Sequence, residues 1–102
     1  MKCLLVKPWE HPKIVEIASG LESLQKAVGG MIQAVYPYDD PVAIVCNEEG
    51  KLLNLPANRL LKNEEGIAYD ILCGDFLIVG LNEENFADLS DELIEKYMDI
   101  FW

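Results

Sequence analysis

The segment MIQAVYPYDDPVAIVCNEEGKLLNL, Met31 to Leu55, decides the fold class. Met31–Tyr36 and Val42–Cys46 are β-rich runs, parted by Pro37-Tyr38-Asp39-Asp40-Pro41, where a proline at each end bars helix and marks a turn. Asn47-Glu48-Glu49-Gly50 predicts a tight reversal, with Gly50 in the positive φ that follows a type I turn. The chain then returns through a strand over Lys51–Leu55, which Pro56 ends. Strands joined by turns this short pair antiparallel.

Towards the N-terminus, Lys2–Lys7 and Lys13–Ile17 read as two more strands, joined across Pro8-Trp9-Glu10-His11-Pro12. Ser19 followed by Glu22 predicts a capping box at the start of a helix over residues 21–28; Leu21, Leu24 and Val28 share one face of it, and Gly29-Gly30 stops it. Towards the C-terminus, Ala57–Leu61 reads as one helical turn, and Asn63-Glu64-Glu65-Gly66 repeats the turn chemistry. Phe76–Leu81 is the last strong strand, led in by Asp70–Gly74. Asn82-Glu83-Glu84-Asn85 resembles the two earlier tetrads, at a spacing too uneven for a structural repeat. Ser90 caps a final helix. Asp91 and Glu92 suit the positive end of its dipole, Leu89 can staple onto Ile94, and Leu93, Ile94, Tyr97, Met98 and Phe101 make an apolar stripe. The order β-β-α-β-β-β-β-α predicts an α+β fold: a mixed or mainly antiparallel sheet covered by two short helices, in a single compact domain spanning 1–102.

Composition restricts the partners. The 102 residues carry 18 Asp and Glu against 8 Lys and Arg, a net charge of −10, and 51% of them are apolar, which excludes intrinsic disorder. The cations are spread thinly, so direct nucleic-acid binding is not expected, nor is an anionic membrane surface. No apolar run approaches the roughly 20 residues of a membrane helix, and the opening apolar run is too short for a signal peptide. The reading is a cytoplasmic protein with free thiols.

Site chemistry is sparse. Cys3, Cys46 and Cys73 sit in apolar runs without zinc-ribbon spacing, and His11 is the single imidazole, so neither a metal nor another cofactor is expected. The adjacent acids read as solvated turn residues, Ser19 and Ser90 as caps, and the glycines form no phosphate cradle; no catalytic residue is assigned. The richest stretch runs from Tyr36 to Arg59. Its tyrosines, amides and the only arginine gather at loops, where recognition surfaces are built. A hairpin returning through Lys51–Leu55 would bring Leu55–Arg59 to Tyr38–Pro41, so the candidate binding residues are Tyr36, Tyr38, Asp39, Asp40, Asn54, Asn58 and Arg59. Arg59 supplies a planar fork for a carboxylate or phosphate, or else pairs with Asp39 or Asp40.

The order AVYPYDDPVAIVCNEEGKL, LPANR and DILCGDFLIVG, with LLVKP at the start and LSDE opening the last helix, resembles the uncharacterised domain family DUF3846 along nearly the whole chain. The resemblance implies a small accessory protein of bacteria, bacteriophages or mobile elements, and it supplies no catalytic residue. The expected function is a non-catalytic acidic interaction module that binds and regulates or inhibits a bacterial host protein, for instance a host-defence component. One variant is mimicry of nucleic acid by a carboxylate ridge. The alternative is a domain that binds a nucleotide or phosphorylated metabolite. The chain is expected as a monomer or a small homo-oligomer, with a dimer through the last helix's stripe as one variant.

Overall fold

Eight strands and two helices follow one another in the computed structural model, which describes all residues, 1–102. They are β1 (Lys2–Val6), β2 (Lys13–Glu16), α1 (Leu21–Val28), β3 (Ile32–Val35), β4 (Val42–Asn47), β5 (Ala57–Lys62), β6 (Ala68–Cys73), β7 (Phe76–Leu81), β8 (Phe86–Ala87) and α2 (Asp91–Ile100). The expected α+β class holds, and every strand pairing is antiparallel. The main sheet runs β2-β1-β7-β4-β3, β8 joins the far end of β7, and β5 and β6 form a separate hairpin.

Of the three inner strands, β4 and β7 have no polar alternation because both their faces are covered. Every residue of β4 and all but the last of β7 are buried. The register Leu4↔Ile78 and Ile44↔Ile78 places these three side chains on one face, and the next residues along, Leu5, Leu77 and Val45, on the other. On the first face, Leu4, Val6, Val42, Ile44, Phe76 and Ile78 pack against Ile94, Tyr97 and Phe101 of α2 and against Leu61 and Leu72 of the β5–β6 hairpin. On the second face, Cys3, Ala43, Val45, Leu77 and Val79 pack against Leu24 and Val28 of α1. The apolar stripe of α2 is thus core, which removes it as a dimer surface.

Helix ends show where local chemistry prevailed. Ser90 accepts the Leu93 N–H at 3.3 Å and caps α2 as expected. Ser19 does not cap α1: Gly20, at φ 112, is the N-cap with no side-chain bond, so the Ser19 hydroxyl lies one residue too early to reach the first-turn amides. Gly29 takes the left-handed stop at φ 78. Asn47, the one buried polar residue, donates to the Val28 carbonyl at 3.2 Å and ties the end of α1 to β4.

Two local expectations are corrected. Lys51–Leu55 is no strand: Leu55 N–H reaches Gly50 O at 3.0 Å and Asn54 N–H reaches Lys51 O at 3.2 Å, with Asn54 at φ 54. This is the bonding of a single helical turn closed by a left-handed residue. Gly50 is needed there for close approach and not for positive φ, since a Cβ on it would lie 2.8 Å from the Cys73 carbonyl oxygen. Conversely, Ala57–Leu61 is no helical turn but most of β5. Its partner strand β6 and the burial of Leu61 under the sheet outweigh the weak helix preference of that segment. The three Asn-containing tetrads share one device: Asn47, Asn63 and Asn82 each accept, through Oδ1, the N–H two residues on.

Candidate functional site

The seven residues expected to form a binding cluster divide into three groups. The first holds the fold together. The Tyr38 ring lies 4.9 Å from that of Tyr97 and 6.5 Å from that of Phe101, and burial pushes its hydroxyl up to about 12. Asp40 Oδ2 accepts from Tyr97 Oη at 2.7 Å and from Lys96 Nζ at 2.5 Å; these two donors hold its carboxyl below the ordinary carboxylate value. The β3–β4 loop is thereby clasped to α2.

Asn58 and Arg59 make a second latch. Asn58 Nδ2 donates to Val6 O at 2.9 Å and Gly74 O at 2.8 Å, joining β5 to the end of β1 and the start of β7. Arg59 donates Nε to Phe101 O at 3.0 Å, one terminal nitrogen to Glu10 O at 2.6 Å, and the other to Asn58 Oδ1 and O. Its partners are carbonyls, and the pairing with Asp39 or Asp40 is absent. Of the seven, Tyr38, Asn58 and Arg59 share the wall of one depression with Phe101. Tyr36 and Asp39 point to solvent, and Asn54, exposed and at φ 54, closes its own turn. With the strand at 51–55 missing, no hairpin carries it to the Tyr38 loop.

Sequence reading missed Trp9. Glu10 N–H bonds Lys7 O at 3.2 Å, making Lys7-Pro8-Trp9-Glu10 a β-turn with proline at its second position and Trp9 at its third. Trp9 has φ 62, the sign a type II turn demands there and one that normally calls for glycine. A bulky residue in this region costs roughly 1–3 kcal/mol. The side chain nonetheless gains no burial, being 86% exposed. Proline followed by a large aromatic where a turn asks for glycine is the signal that could have marked it.

The turn under Trp9 is held from three sides. Arg59 grips Glu10 O, Lys13 pairs with the Glu10 carboxylate at 2.9 Å, and His11 stacks on Trp102 at 3.8 Å while donating Nδ1–H to Trp102 O. Beside it opens a groove of about 480 Å³ between the β1–β2 loop, the end of α1 and the Leu55-Pro56 and Gly74-Asp75 segments. Lys7 and Lys26 line it, and neither has a carboxylate partner within the chain. Gly74, at φ 82, admits Leu55 so closely that a Cβ would meet Leu55 Cδ1 at 2.7 Å.

Thiol placement separates the cysteines. Cys3 and Cys46 are buried on opposite faces of the sheet, Cys73 is half-buried, and burial raises the Cys3 thiol to about 11. No three His, Cys, Asp or Glu side chains converge as metal ligands would, and no helix is long and apolar enough to cross a membrane. The model of the family described as a domain of unknown function, DUF3846, matches residues 1–101. No curated protein and no solved structure matches the chain.

Proposed function

The chain belongs to the DUF3846 family, and from that premise we propose a non-catalytic interaction module: an accessory protein of a phage or mobile element that binds a bacterial host protein and regulates or inhibits it. The supporting observation is Trp9, a large aromatic held in a strained turn, pinned from beneath and left 86% exposed. Rigid exposed tryptophans are the residues that most often dominate the energy of protein interfaces. Latches that fix the turn remove the ordering cost a mobile loop would incur on binding. The groove beside it adds apolar wall from Pro8, Leu55 and Pro56, and two unpaired ammonium groups.

Mimicry of nucleic acid has less support. The antiparallel register sets Val42 opposite Gly80, so Glu48-Glu49 after β4 and Glu83-Glu84 after β7 lie at opposite ends of the sheet rather than along one ridge. The nucleotide-binding alternative is weakened in a similar way, because all three guanidinium nitrogens of Arg59 already donate within its own chain.

Trp9→Gly tests the proposal, since glycine adopts the observed φ without strain and the variant should fold at least as well as the parent. Immobilised wild-type protein, challenged with bacterial lysate, should retain a partner that Trp9→Gly loses at least tenfold, with an unchanged or higher melting temperature. Equal retention by both proteins refutes Trp9 as the anchor.

A further inference from the structure

The two edges of the main sheet are built differently. β2 follows Pro12 and carries Lys13 and Glu16, the kind of residues that keep a free edge from pairing. β3 has neither proline nor charge anywhere in Met31–Tyr36. Met31 O accepts from Glu48 N–H, and in the β3–β4 register the residues facing β4 are therefore Met31, Gln33 and Val35. The N–H and C=O groups of Ile32 and Ala34 point outward, and no element pairs with them. Exposed apolar side chains surround this edge. Met31 and Tyr36, at 60% and 61% exposure, flank the strand, Leu52, at 83%, shares a depression with Gln33 and Val35 on one face, and Leu21 shares another with Ile32 on the other face.

We propose that β3 is a dimer interface, occupied by β3 of a second copy in antiparallel pairing about a twofold axis. The strand is self-complementary in one register. Ala34 lies opposite Ala34 of the second copy, Ile32 opposite Tyr36, and Gln33 opposite Val35. Both outward-facing residues then gain partners, with roughly six new backbone hydrogen bonds in all. The small Ala34 at the axis permits close approach, and Ile32 with Tyr36 is a favourable aliphatic–aromatic cross-strand pair. Charge permits this occupant: in a chain of −10, self-association is opposed wherever acids meet, and Met31–Tyr36 carries no acid. The interface is isologous, as closed dimers require. It shares no residue with the Trp9 groove.

The test is the mass of the full chain in solution, by light scattering and sedimentation from about 1 to 500 μM. The wild type should run at twice 11.5 kDa at the upper concentrations. Ala34→Pro should be monomeric, because it removes only an outward N–H and leaves the ladder to β4 intact. Ala34→Cys should form a reducible covalent dimer on mild oxidation, as a self-opposed hydrogen-bonded pair has Cα atoms about 5.5 Å apart. Ala34→Glu, which sets two carboxylates face to face, decides the matter if the proline variant does not fold. A wild type that stays monomeric throughout overturns the proposal, and so does a dimer that survives a folded Ala34→Pro or Ala34→Glu.

Discussion

Removing the Arg59 guanidinium should loosen three parts of the molecule at once. Arg59→Ala deletes the bond from Nε to Phe101 O, which anchors the end of α2, and the bond to Glu10 O, which anchors the turn carrying Trp9. A hydrogen bond from a charged donor contributes about 1.5–3 kcal/mol when shielded. The Phe101 contact is partly buried and takes that value; the Glu10 contact is exposed, where water replaces it at a loss below about 1 kcal/mol. The bond to Asn58 Oδ1 is local, but it fixes the amide that grips Val6 and Gly74. The sum is about 2–4 kcal/mol, a large part of the 5–15 kcal/mol usual for a domain of this size. At about 4–8 °C per kcal/mol, the melting temperature should fall by at least about 8 °C. Arg59→Lys should recover less than half of the loss, since one ammonium cannot span both carbonyls. Urea melts measure the energy, and amide exchange of Phe101, Trp102 and Glu10 reports where the loosening occurs. Arg59→Ala within about 0.5 kcal/mol of wild type, with unaltered exchange, would refute the latch.

Native thiol labelling should modify Cys73 first and Cys3 slowest, because burial holds the Cys3 thiol protonated to about 11; labelling of Cys3 ahead of Cys73 contradicts the packing described. Asp40, Asp70 and Asp91 are all held below the ordinary value by hydrogen-bonded lysines, with Tyr97 second on Asp40. Their contribution to stability is therefore complete above about pH 4 and lost as pH falls through the lowered folded values; Asp40→Asn should flatten the acid limb of a stability–pH curve. Tyr38 and Tyr97 are raised, so alkaline weakening should begin near pH 10, where the unfolded chain ionises first, and Tyr38→Phe should reduce it. Gly50→Ala should cost about 1–3 kcal/mol in a denaturant melt by pushing a methyl against the Cys73 carbonyl, and a neutral result would show that this turn can give way.

The parts of the fold legible in the sequence are those whose local chemistry agrees with their tertiary role. Val42–Cys46 and Phe76–Leu81 are apolar throughout because they lie at the centre of the sheet, and Ser90 announces α2 because its hydroxyl meets a free amide. Ala57–Leu61 reads as a helical turn because Ala57, Asn58, Arg59 and Leu60 carry no strand signal of their own; β6, 6 to 16 positions downstream, makes Ala57–Lys62 a strand. The same applies to the site. Arg59 and Tyr38 line one wall, but their contacts with Phe101, Glu10 and Tyr97 cross 42 to 59 residues and leave no periodicity to read. Trp9 leaves one trace in the sequence, a proline followed by a large aromatic, while its exposure and its φ are properties of the folded turn.

The position of β7 sets the order of events in folding. β1 with β2, and β3 with β4, are hairpins that close over short loops, whereas β7 joins the two hairpins from more than 30 residues downstream of β4 and some 70 downstream of β1. Contacts of such separation are slow to form. Until residues 76–81 arrive, β1 and β4 each present an open, largely apolar edge, and that interval is when the chain is most exposed to aggregation and to chaperones. Weakening substitutions in β7 should therefore slow folding, while those in β2 should chiefly speed unfolding.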